Sequence, residues 1–173
     1  MLYFIGDTHF GEENVFKICN GWHKEFSFLE EKDDFLIDEW NRVVSKDDTV
    51  IIVGDFGDPS VAANLNGKKI LVMGNHDWEW WSKLEKHEYE HFESVSHYPI
   101  VVKDFYMVSH EPMYVSSEGA MANIFAHVHD NPNYKDASSR GFCVSAERIG
   151  WAPISFEEII KRMKKEEKKN CFG

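Results

Sequence analysis

Short apolar runs, each followed by a polar cluster, recur along the first half of the chain. Residues 2–5, 50–53 and 70–73 are apolar, and each run leads into a glycine followed by Asp or Asn. The runs are continuous rather than alternating, which is typical of strands buried on both faces of a sheet. We therefore predict three buried strands, each ending in a loop that carries polar side chains.

The second half of the chain predicts strands in a different arrangement. Residues 98–102 and 105–109 flank Lys103-Asp104 and are expected to form a hairpin with a two-residue turn. Shorter strands are expected at 123–126 and 141–145. Because a hairpin adds antiparallel pairs, a purely parallel sheet is not expected.

Helical segments separate the strands. Ser27 and Glu30 have the spacing of a capping box, and apolar residues recur behind them at near-helical spacing. A short helix is expected at 59–65, and a second capping box, Ser155 with Glu158, begins the last helix. Alternating strands and helices predict a layered α/β protein, and 173 residues fit a single domain covering 1–173.

Composition limits the functional classes. A net charge of −11 disfavours a scaffold for long nucleic acids, because such proteins neutralise phosphates with Lys and Arg. No apolar run approaches the roughly 20 residues that span a bilayer, and the first residues resemble a strand rather than a signal peptide. Cys19, Cys143 and Cys171 form no C-x-x-C pair, so we expect a reducing cytoplasm and no disulfide framework.

Residues that bind metal ions cluster after the predicted strands. Sites in open α/β sheets lie at the carboxyl ends of strands, so loops leaving one edge can converge on one pocket. Asp and Asn oxygens and His nitrogens suit Mn²⁺, Fe, Zn²⁺ or Co²⁺. The segments are Asp7-Thr8-His9, Gly54-Asp55-Phe56-Gly57-Asp58, Gly74-Asn75-His76-Asp77, Ser109-His110-Glu111 and His127-Val128-His129.

Taken singly, these motifs have simpler explanations. Asn75 or Asp77 could cap the next helix, and His110 alone could be an ordinary hydrogen-bonded histidine. Asp7 and His9 are two residues apart, so at a strand end they could bind one metal or bracket two. A metal site is the better interpretation because five such segments each follow a predicted strand.

The combined motifs resemble those of the calcineurin-like metallophosphoesterases, in particular small bacterial and phage members. The family signature is D-x-H, G-D-x-x-D, G-N-H-D/E, H and G-H-x-H, and this chain matches it from Asp7 to His129. The resemblance implies a four-layer α/β/β/α sandwich of two mixed β-sheets. It also implies two divalent metal ions, with Mn favoured and Fe, Zn, Ni or Co as alternatives. The implied metal ligands are Asp7, His9, Asp55, Asn75, His110, His127 and His129.

The resemblance also implies roles. His76 and Asn75 would bind the substrate, His76 would stabilise the phosphate or protonate the leaving oxygen, and Asp58 would orient His76. Our mechanistic hypothesis is in-line attack on phosphorus by a hydroxide that bridges the two ions. Asp55 would bridge the ions as well. The first ion would be held by Asp7, His9 and His129, and the second by Asn75, His110 and His127.

Two positions depart from the family pattern. Ala126 stands where the family usually has Gly before His127, a small change that we expect to preserve metal ligation. Pro59 stands where protein Ser/Thr phosphatases and diadenosine polyphosphate hydrolases carry Arg, which argues against both of those activities.

The resemblance implies that the protein is a phosphoric ester hydrolase. We expect it to act on phosphodiester bonds of a small or nucleotide-type substrate. A phosphomonoesterase acting on a small molecule or a protein is the alternative, and a non-catalytic metal-binding module is a further one. Neither a membrane nor a long nucleic acid is expected as a partner. Lys135, Arg140 and the cluster from Trp78 to Trp81 could contact substrate, although solvated or packed side chains would explain them as well.

Overall fold

A computed structural model describes residues 1–18, 22–82, 90–116 and 121–170, so Cys19 and Cys171 lie outside the described residues. The strands are β1 Leu2–Ile5, β2 Thr49–Val53, β3 Lys68–Val72, β4 Ser94–Ser96, β5 Ile100–Val102, β6 Tyr106–Val108, β7 Ala122–Phe125, β8 Gly141–Cys143 and β9 Ile154–Ser155. The helices are α1 Glu13–Ile18, α2 Trp22–Glu25, α3 Leu29–Val43, α4 Asp77–Trp81, α5 Ala146–Ile149 and α6 Phe156–Asn170, with a 3₁₀ helix at Pro59–Asn64.

The first sheet has the strand order β4-β3-β2-β1-β9. Strands β1 to β4 are parallel, and β9 runs antiparallel to β1. In register, Ile5 lies beside Ile52, and Ile52 lies beside Leu71. The carboxyl ends of β1, β2 and β3 therefore meet at one edge, which brings together the loops that follow them.

The second sheet has the order β5-β6-β7-β8, with β5 antiparallel to β6 and the other pairs parallel. The predicted hairpin is confirmed, but its loop has three residues rather than two, since Val102 pairs with Tyr106. Lys103 and Asp104 both have positive φ angles, and Phe105 N–H donates to Val102 O at 3.3 Å. Beyond β1 and β8, Gly6 forms a parallel bridge with Ser145. The two sheets therefore meet at the edge where the candidate loops lie.

Two apolar clusters explain why the strand sequences are continuous rather than alternating. Tyr3 and Ile5 of β1 join a cluster with Leu36 and Trp40 of α3, on one face of the first sheet. Phe4 points the other way, into a cluster shared by both sheets and α6. Because both faces are covered, every side chain in such a strand can be apolar. Within this second cluster, Phe156 of α6 lies 5.7 Å from Phe4, measured between ring centroids.

The predicted fold class is confirmed: two mixed sheets with helices. The capping of α6 is also confirmed, since Glu158 N–H donates to Ser155 Oγ at 3.3 Å. At α3 the capping differs, because Ser27 N–H donates to the carboxylate of Glu31 rather than Glu30, and the helix begins at Leu29. Among the described residues, every helix is too short or too polar to cross a bilayer.

Candidate metal centre

The loops after β1, β2, β6 and β7 bring candidate ligands into two neighbouring groups. One group contains Asp7, His9 and His129, and the other contains Asp55, His110 and His127; within each group the ligand atoms lie within 4.8 Å of one another. Such compact groups of carboxylate and imidazole are what a transition-metal site requires.

Asp55 and Asn75 connect these groups to each other and to the loop after β3. Asp55 Oδ2 lies 3.6 Å from His9 Nε2 in the first group and 3.2 Å from His110 Nε2 in the second. Asn75 Oδ1 lies 3.0 Å from the same His110 Nε2. All seven predicted ligands therefore converge on one place, with Asp55 between the groups.

Two buried ligand atoms have no hydrogen-bond partner among the described residues. Asp7 is 0% exposed and His9 is 1% exposed, yet neither Asp7 Oδ2 nor His9 Nε2 makes a hydrogen bond to a described residue. Burying a carboxylate oxygen or an imidazole nitrogen without a partner is unfavourable. A cation coordinated by both atoms would supply the missing interaction, so the donor set fits a metal ion.

The backbone at this centre adopts conformations that disfavour ordinary side chains. Positive φ angles for residues other than glycine are uncommon and cluster at functional sites, where they aim side chains at a cost in stability. Glycines allow the loops to approach, since a Cβ on Gly54 would lie 2.3 Å from His110 Nδ1. The ligands with positive φ are Asp7 at 55°, His9 at 43°, Asp55 at 50°, His127 at 70° and His129 at 45°.

Hydrogen bonds from Nδ1 fix three of the imidazole rings. His110 Nδ1 lies 3.0 Å from Val53 O, His129 Nδ1 lies 2.8 Å from Glu147 Oε1, and His9 Nδ1 lies 3.1 Å from Glu12 Oε2. Such contacts select the tautomer in which Nδ1 carries the proton, which leaves Nε2 to bind a metal.

The charges at the centre are strongly coupled in the metal-free protein. Burial raises the pKa of Asp55, but the hydrogen bond and positive charge of His110 outweigh burial and lower that pKa to about 2. Burial lowers the pKa of His110, but its hydrogen bond with Asp55 and the negative charges of Asp55 and Asp7 raise it to about 9. Without metal, the His110 ring therefore carries the positive charge that balances Asp55.

Asp77 and Lys32, both buried, hold the loops in place. Asp77 accepts backbone N–H groups from Asp55 at 2.9 Å, Phe56 at 2.8 Å and Gly74 at 2.7 Å. Burial raises the pKa of Asp77 to about 6, although these hydrogen bonds oppose the shift. Lys32 Nζ donates to the carbonyl oxygens of Thr8 and His9, each at 2.8 Å.

His76 is held by a carboxylate that the sequence analysis did not select. Its Nδ1 lies 2.9 Å from Glu12 Oε2, and its side chain is 40% exposed. Asp58, which was expected to orient His76, instead accepts the N–H of Ser60 at 2.9 Å and caps the 3₁₀ helix. Because the following loop turns into that helix, the described side-chain hydrogen bond of Asp58 is local, although its backbone N–H donates to Phe10 O at 2.7 Å. Glu12 takes the place beside His76.

Ala126 fits the site without disturbing it. A Cβ on Gly6 would lie 2.5 Å from the Cβ of Ala126, so the absence of a side chain at Gly6 leaves room for the Ala126 methyl group. His127 N–H, just beyond, donates to Asp7 Oδ1 at 3.0 Å. The expected small effect of Ala126 on the backbone agrees with this packing.

A cleft of about 340 Å³ opens beside His76. Its described lining contains three glutamates, Glu12, Glu13 and Glu79, but no Lys or Arg. Trp80 also lines it and donates from Nε1 to Glu12 Oε1 at 3.0 Å.

The remaining substrate candidates are Trp78, Trp81, Lys135 and Arg140. Trp78 is exposed and contacts the ring of His97, and the side chain of Trp81 lies outside the described residues. Arg140 donates to Met121 O at 3.2 Å, and Lys135 is exposed.

Sequence reasoning missed the side chains that support the ligands. Glu12 lies three residues after His9, and Gly11 between them has φ of 72°. A turn at this glycine was the one local sign that Glu12 could fold back onto His9. Glu147 lies 18 residues after His129 on α5, and Lys32 lies 23 residues after His9 on α3. Nothing in the local sequence marks those two contacts, since they depend on how distant elements pack.

Comparison with known proteins finds relatives in sequence and a solved structure with a similar fold. An uncharacterized protein of the archaeon Methanocaldococcus jannaschii is 29% identical over 181 residues, covering 95% of this chain and 92% of its own. The gene 66 protein of Mycobacterium phage L5 is 34% identical over 84 residues, covering 43% of this chain and 39% of its own. A crystal structure of a protein of unknown function from Aquifex aeolicus has a similar fold, with a TM-score of 0.66, 24% identity and coverage of 93% of this chain and 98% of that one.

The family comparison covers most of the site. The sequence model of the calcineurin-like phosphoesterase family matches residues 1–144 of this chain. That range contains all seven candidate ligands, Glu12 and His76. Members of this family typically bind divalent metals, in keeping with the clustered His and Asp groups. This chain belongs to the calcineurin-like phosphoesterase family.

Proposed function

We propose that the protein is a dinuclear metal-dependent phosphoesterase that hydrolyses phosphodiester bonds of a small or nucleotide-type substrate. The observation that carries the proposal is a pair of buried ligand atoms, Asp7 Oδ2 and His9 Nε2, that have no hydrogen-bond partner among the described residues. They adjoin a second group of ligands that shares Asp55 with the first. Two adjacent metal sites with one shared carboxylate are the arrangement used for in-line displacement at phosphorus.

The two groups of ligands define which residues would hold each ion. Bound divalent ions supply Lewis acidity, which lowers the pKa of a bound water and offsets charge on phosphate oxygens. The mixture of carboxylate, amide and imidazole ligands suits several divalent ions. We propose Mn²⁺ first, as the family resemblance implies, with Fe, Zn²⁺, Ni²⁺ or Co²⁺ as alternatives. One ion would be held by Asp7, His9 and His129, the other by Asn75, His110 and His127, and Asp55 would contact both.

His76 is the residue proposed to act on the substrate directly. Its Nδ1 is engaged by Glu12, so Nε2 is the ring atom left for the phosphate or the leaving oxygen. A positioned imidazole that delivers a proton to a leaving group contributes typically about 10²–10⁴-fold in rate. Asn75 would bind the substrate beside it, as well as binding metal.

The charge of the cleft beside His76 favours a diester over a monoester. A diester carries one negative charge near neutral pH, whereas a monoester carries up to two. The described lining of the cleft has three glutamates and no Lys or Arg, so it disfavours additional negative charge. The net charge of −11 likewise disfavours long nucleic acids as substrates.

A matrix of metals and substrates tests this function. Purified protein would be loaded with each candidate metal and assayed on bis-p-nitrophenyl phosphate, p-nitrophenyl phosphate and cyclic nucleotides. We expect the highest kcat/KM on a diester with Mn²⁺. Asp55→Asn should lose at least about 100-fold in kcat/KM, because the shared ligand loses its negative charge and one of its two oxygens. Higher kcat/KM on the monoester would favour the phosphatase alternative, and metal-loaded protein inert on every ester would favour a non-catalytic metal-binding module.

A further inference from the structure

The geometry points to Glu12 as the positioning residue of His76, which it holds in one tautomer and links to the metal ligand His9. This inference deepens the proposed function and rests on it for the role of His76 in turnover. Glu12 lies outside the D-x-H motif, and its side chain is 10% exposed. We base the assignment on its contacts, on the loop that fixes it and on the part of His76 that it leaves free.

A single carboxylate oxygen contacts both imidazole rings. Glu12 Oε2 lies 2.9 Å from His76 Nδ1 and 3.1 Å from His9 Nδ1. An ionised carboxylate can only accept hydrogen bonds, so each of these nitrogens must carry a proton. Both rings are then fixed with Nδ1 toward Glu12, and Nε2 is left for the metal in His9 and for the substrate in His76. His76 Nε2 can give a proton to the leaving oxygen when the ring carries a proton on each nitrogen, and the ring then returns to the neutral Nδ1–H form.

Glu12 is itself held rigidly by the surrounding chain. Gly11, with φ of 72°, turns the chain after His9, and its N–H donates to Asp33 Oδ2 at 2.9 Å. The other carboxylate oxygen, Glu12 Oε1, accepts Trp80 Nε1–H at 3.0 Å. Because Trp80 lies on α4 and His76 immediately precedes that helix, Glu12 ties the helix to the loop that carries Asp7 and His9.

Loss of the Glu12 carboxylate should act through His76. The ring could then rotate or change tautomer, and Nε2 would no longer be presented to the leaving oxygen in one arrangement. Misplacement of a catalytic group is costly even when the group is present. The loss should be greatest for esters with poor leaving groups, because these depend most on a proton donor.

A double-mutant cycle on two diesters tests the role in turnover. We would measure kcat/KM for bis-p-nitrophenyl phosphate and diphenyl phosphate in wild type, Glu12→Ala, His76→Ala and the double variant. Glu12→Ala should lose at least about tenfold more activity on diphenyl phosphate, the ester with the poorer leaving group, and should add little to His76→Ala. Independent, additive losses would overturn the proposal, as would a loss explained by reduced metal content.

Glu13→Ala is the matched control. Glu13 lines the same cleft, but its side chain is 66% exposed and pairs with Lys17, so its removal lowers the negative charge without releasing His76. Glu13→Ala should keep the wild-type ratio of kcat/KM between bis-p-nitrophenyl phosphate and diphenyl phosphate. Glu12→Gln keeps one acceptor oxygen, so its kcat/KM on diphenyl phosphate should lie between those of wild type and Glu12→Ala. It replaces Glu12→Ala in the test if that variant does not fold.

Nuclear magnetic resonance of metal-free protein separates this proposal from the proposed activity. Long-range ¹H–¹⁵N spectra report which ring nitrogen carries the proton. We expect the Nδ1–H form of His76 in wild type and in Glu13→Ala, and a mixture of tautomers in Glu12→Ala. If no ester is hydrolysed, the proposed function fails while this measurement still decides the positioning role, and an unchanged His76 tautomer in Glu12→Ala would refute it.

Discussion

The charge of His110 should depend on whether metal is bound. Since the hydrogen bond with Asp55 raises its pKa to about 9 against the effect of burial, the ring is protonated near neutral pH in metal-free protein. A metal ion binds only the neutral imidazole, so its entry must displace this proton. Affinity for Mn²⁺ should therefore rise with pH until about 9, by about tenfold per pH unit for each proton released.

Calorimetric titration of Mn²⁺ at several pH values below 9 measures this dependence, and buffers with different heats of ionisation count the protons released. His91→Gln is the control, because His91 is exposed and belongs to none of the described ligand groups. That variant should reproduce the wild-type slope. Affinity that is independent of pH, with no proton released, would contradict the coupling of His110 to Asp55.

At the scale of single residues, the ligands were predictable and their supports were not. Asp7 and His9 stand two apart in a recognisable motif, so local sequence is enough to select them. Glu147 reaches His129 only because α5, which follows β8 in the chain, packs beside the site. Asp58 matches the motif, but its side chain contacts Ser60 instead of His76. A motif records residue types and spacing, but a hydrogen bond between distant loops depends on packing that the motif does not contain.

At the scale of elements, the change of chain direction directly after β2 depends on Gly54. Its φ of 79° favours glycine, and an added Cβ would lie 2.3 Å from His110 Nδ1 and 2.8 Å from Gly74 Cα. Gly54→Ala should therefore displace His110 as well as strain the backbone. We expect a loss of more than about 2 kcal/mol in the free energy of unfolding and a weaker affinity for Mn²⁺.

Gly150→Ala provides the comparison for that prediction. Gly150 has a similar φ of 84°, but a Cβ there would meet no atom within 4 Å. Its substitution should cost only the backbone strain, about 1–2 kcal/mol, and should leave metal affinity unchanged. Urea unfolding and metal titration of both variants make the test. Equal losses of stability with intact Mn²⁺ binding in Gly54→Ala would show that the close approach to His110 is unimportant.

A strand could be predicted from the sequence when it contained a run of apolar residues. Strand β1 could be inferred because Tyr3, Phe4 and Ile5 face cores on both sides of the sheet. Strands β4 and β9 were missed, since Ser94–Ser96 contains a single apolar residue and Ile154–Ser155 has only two residues. Both lie at sheet edges, where pairing with a neighbour rather than burial of an apolar run makes a strand.

At the scale of the whole molecule, the candidate metal centre lies where the two sheets meet. Asp7 and Asp55 follow strands of the first sheet, and His110 and His127 follow strands of the second. The bridge between Gly6 and Ser145 and the bond from His127 N–H to Asp7 Oδ1 join the sheets at this edge. The order of the motifs predicted this convergence, whereas the core between the sheets became evident only from packing.

Because the ligands come from both sheets, metal binding should stabilise the entire fold. An ion that binds only the folded protein stabilises it by about 2.7 kcal/mol per site at a free concentration 100 times its Kd. Mn²⁺ should therefore raise the unfolding temperature progressively with concentration, and a chelator should reverse the effect. Asp55→Asn should lose most of this shift, because that residue lies between the two ligand groups.

Asp104→Asn controls for removal of a carboxylate, since Asp104 is an exposed residue of the hairpin turn with φ of 53°, a conformation that Asn tolerates. It should keep the full Mn²⁺-dependent shift in unfolding temperature, measured by calorimetry or circular dichroism. An Asp55→Asn protein with a wild-type shift would mean that the ion binds elsewhere. A shift lost equally in both variants would mean that it reflects overall charge rather than a site that joins the sheets.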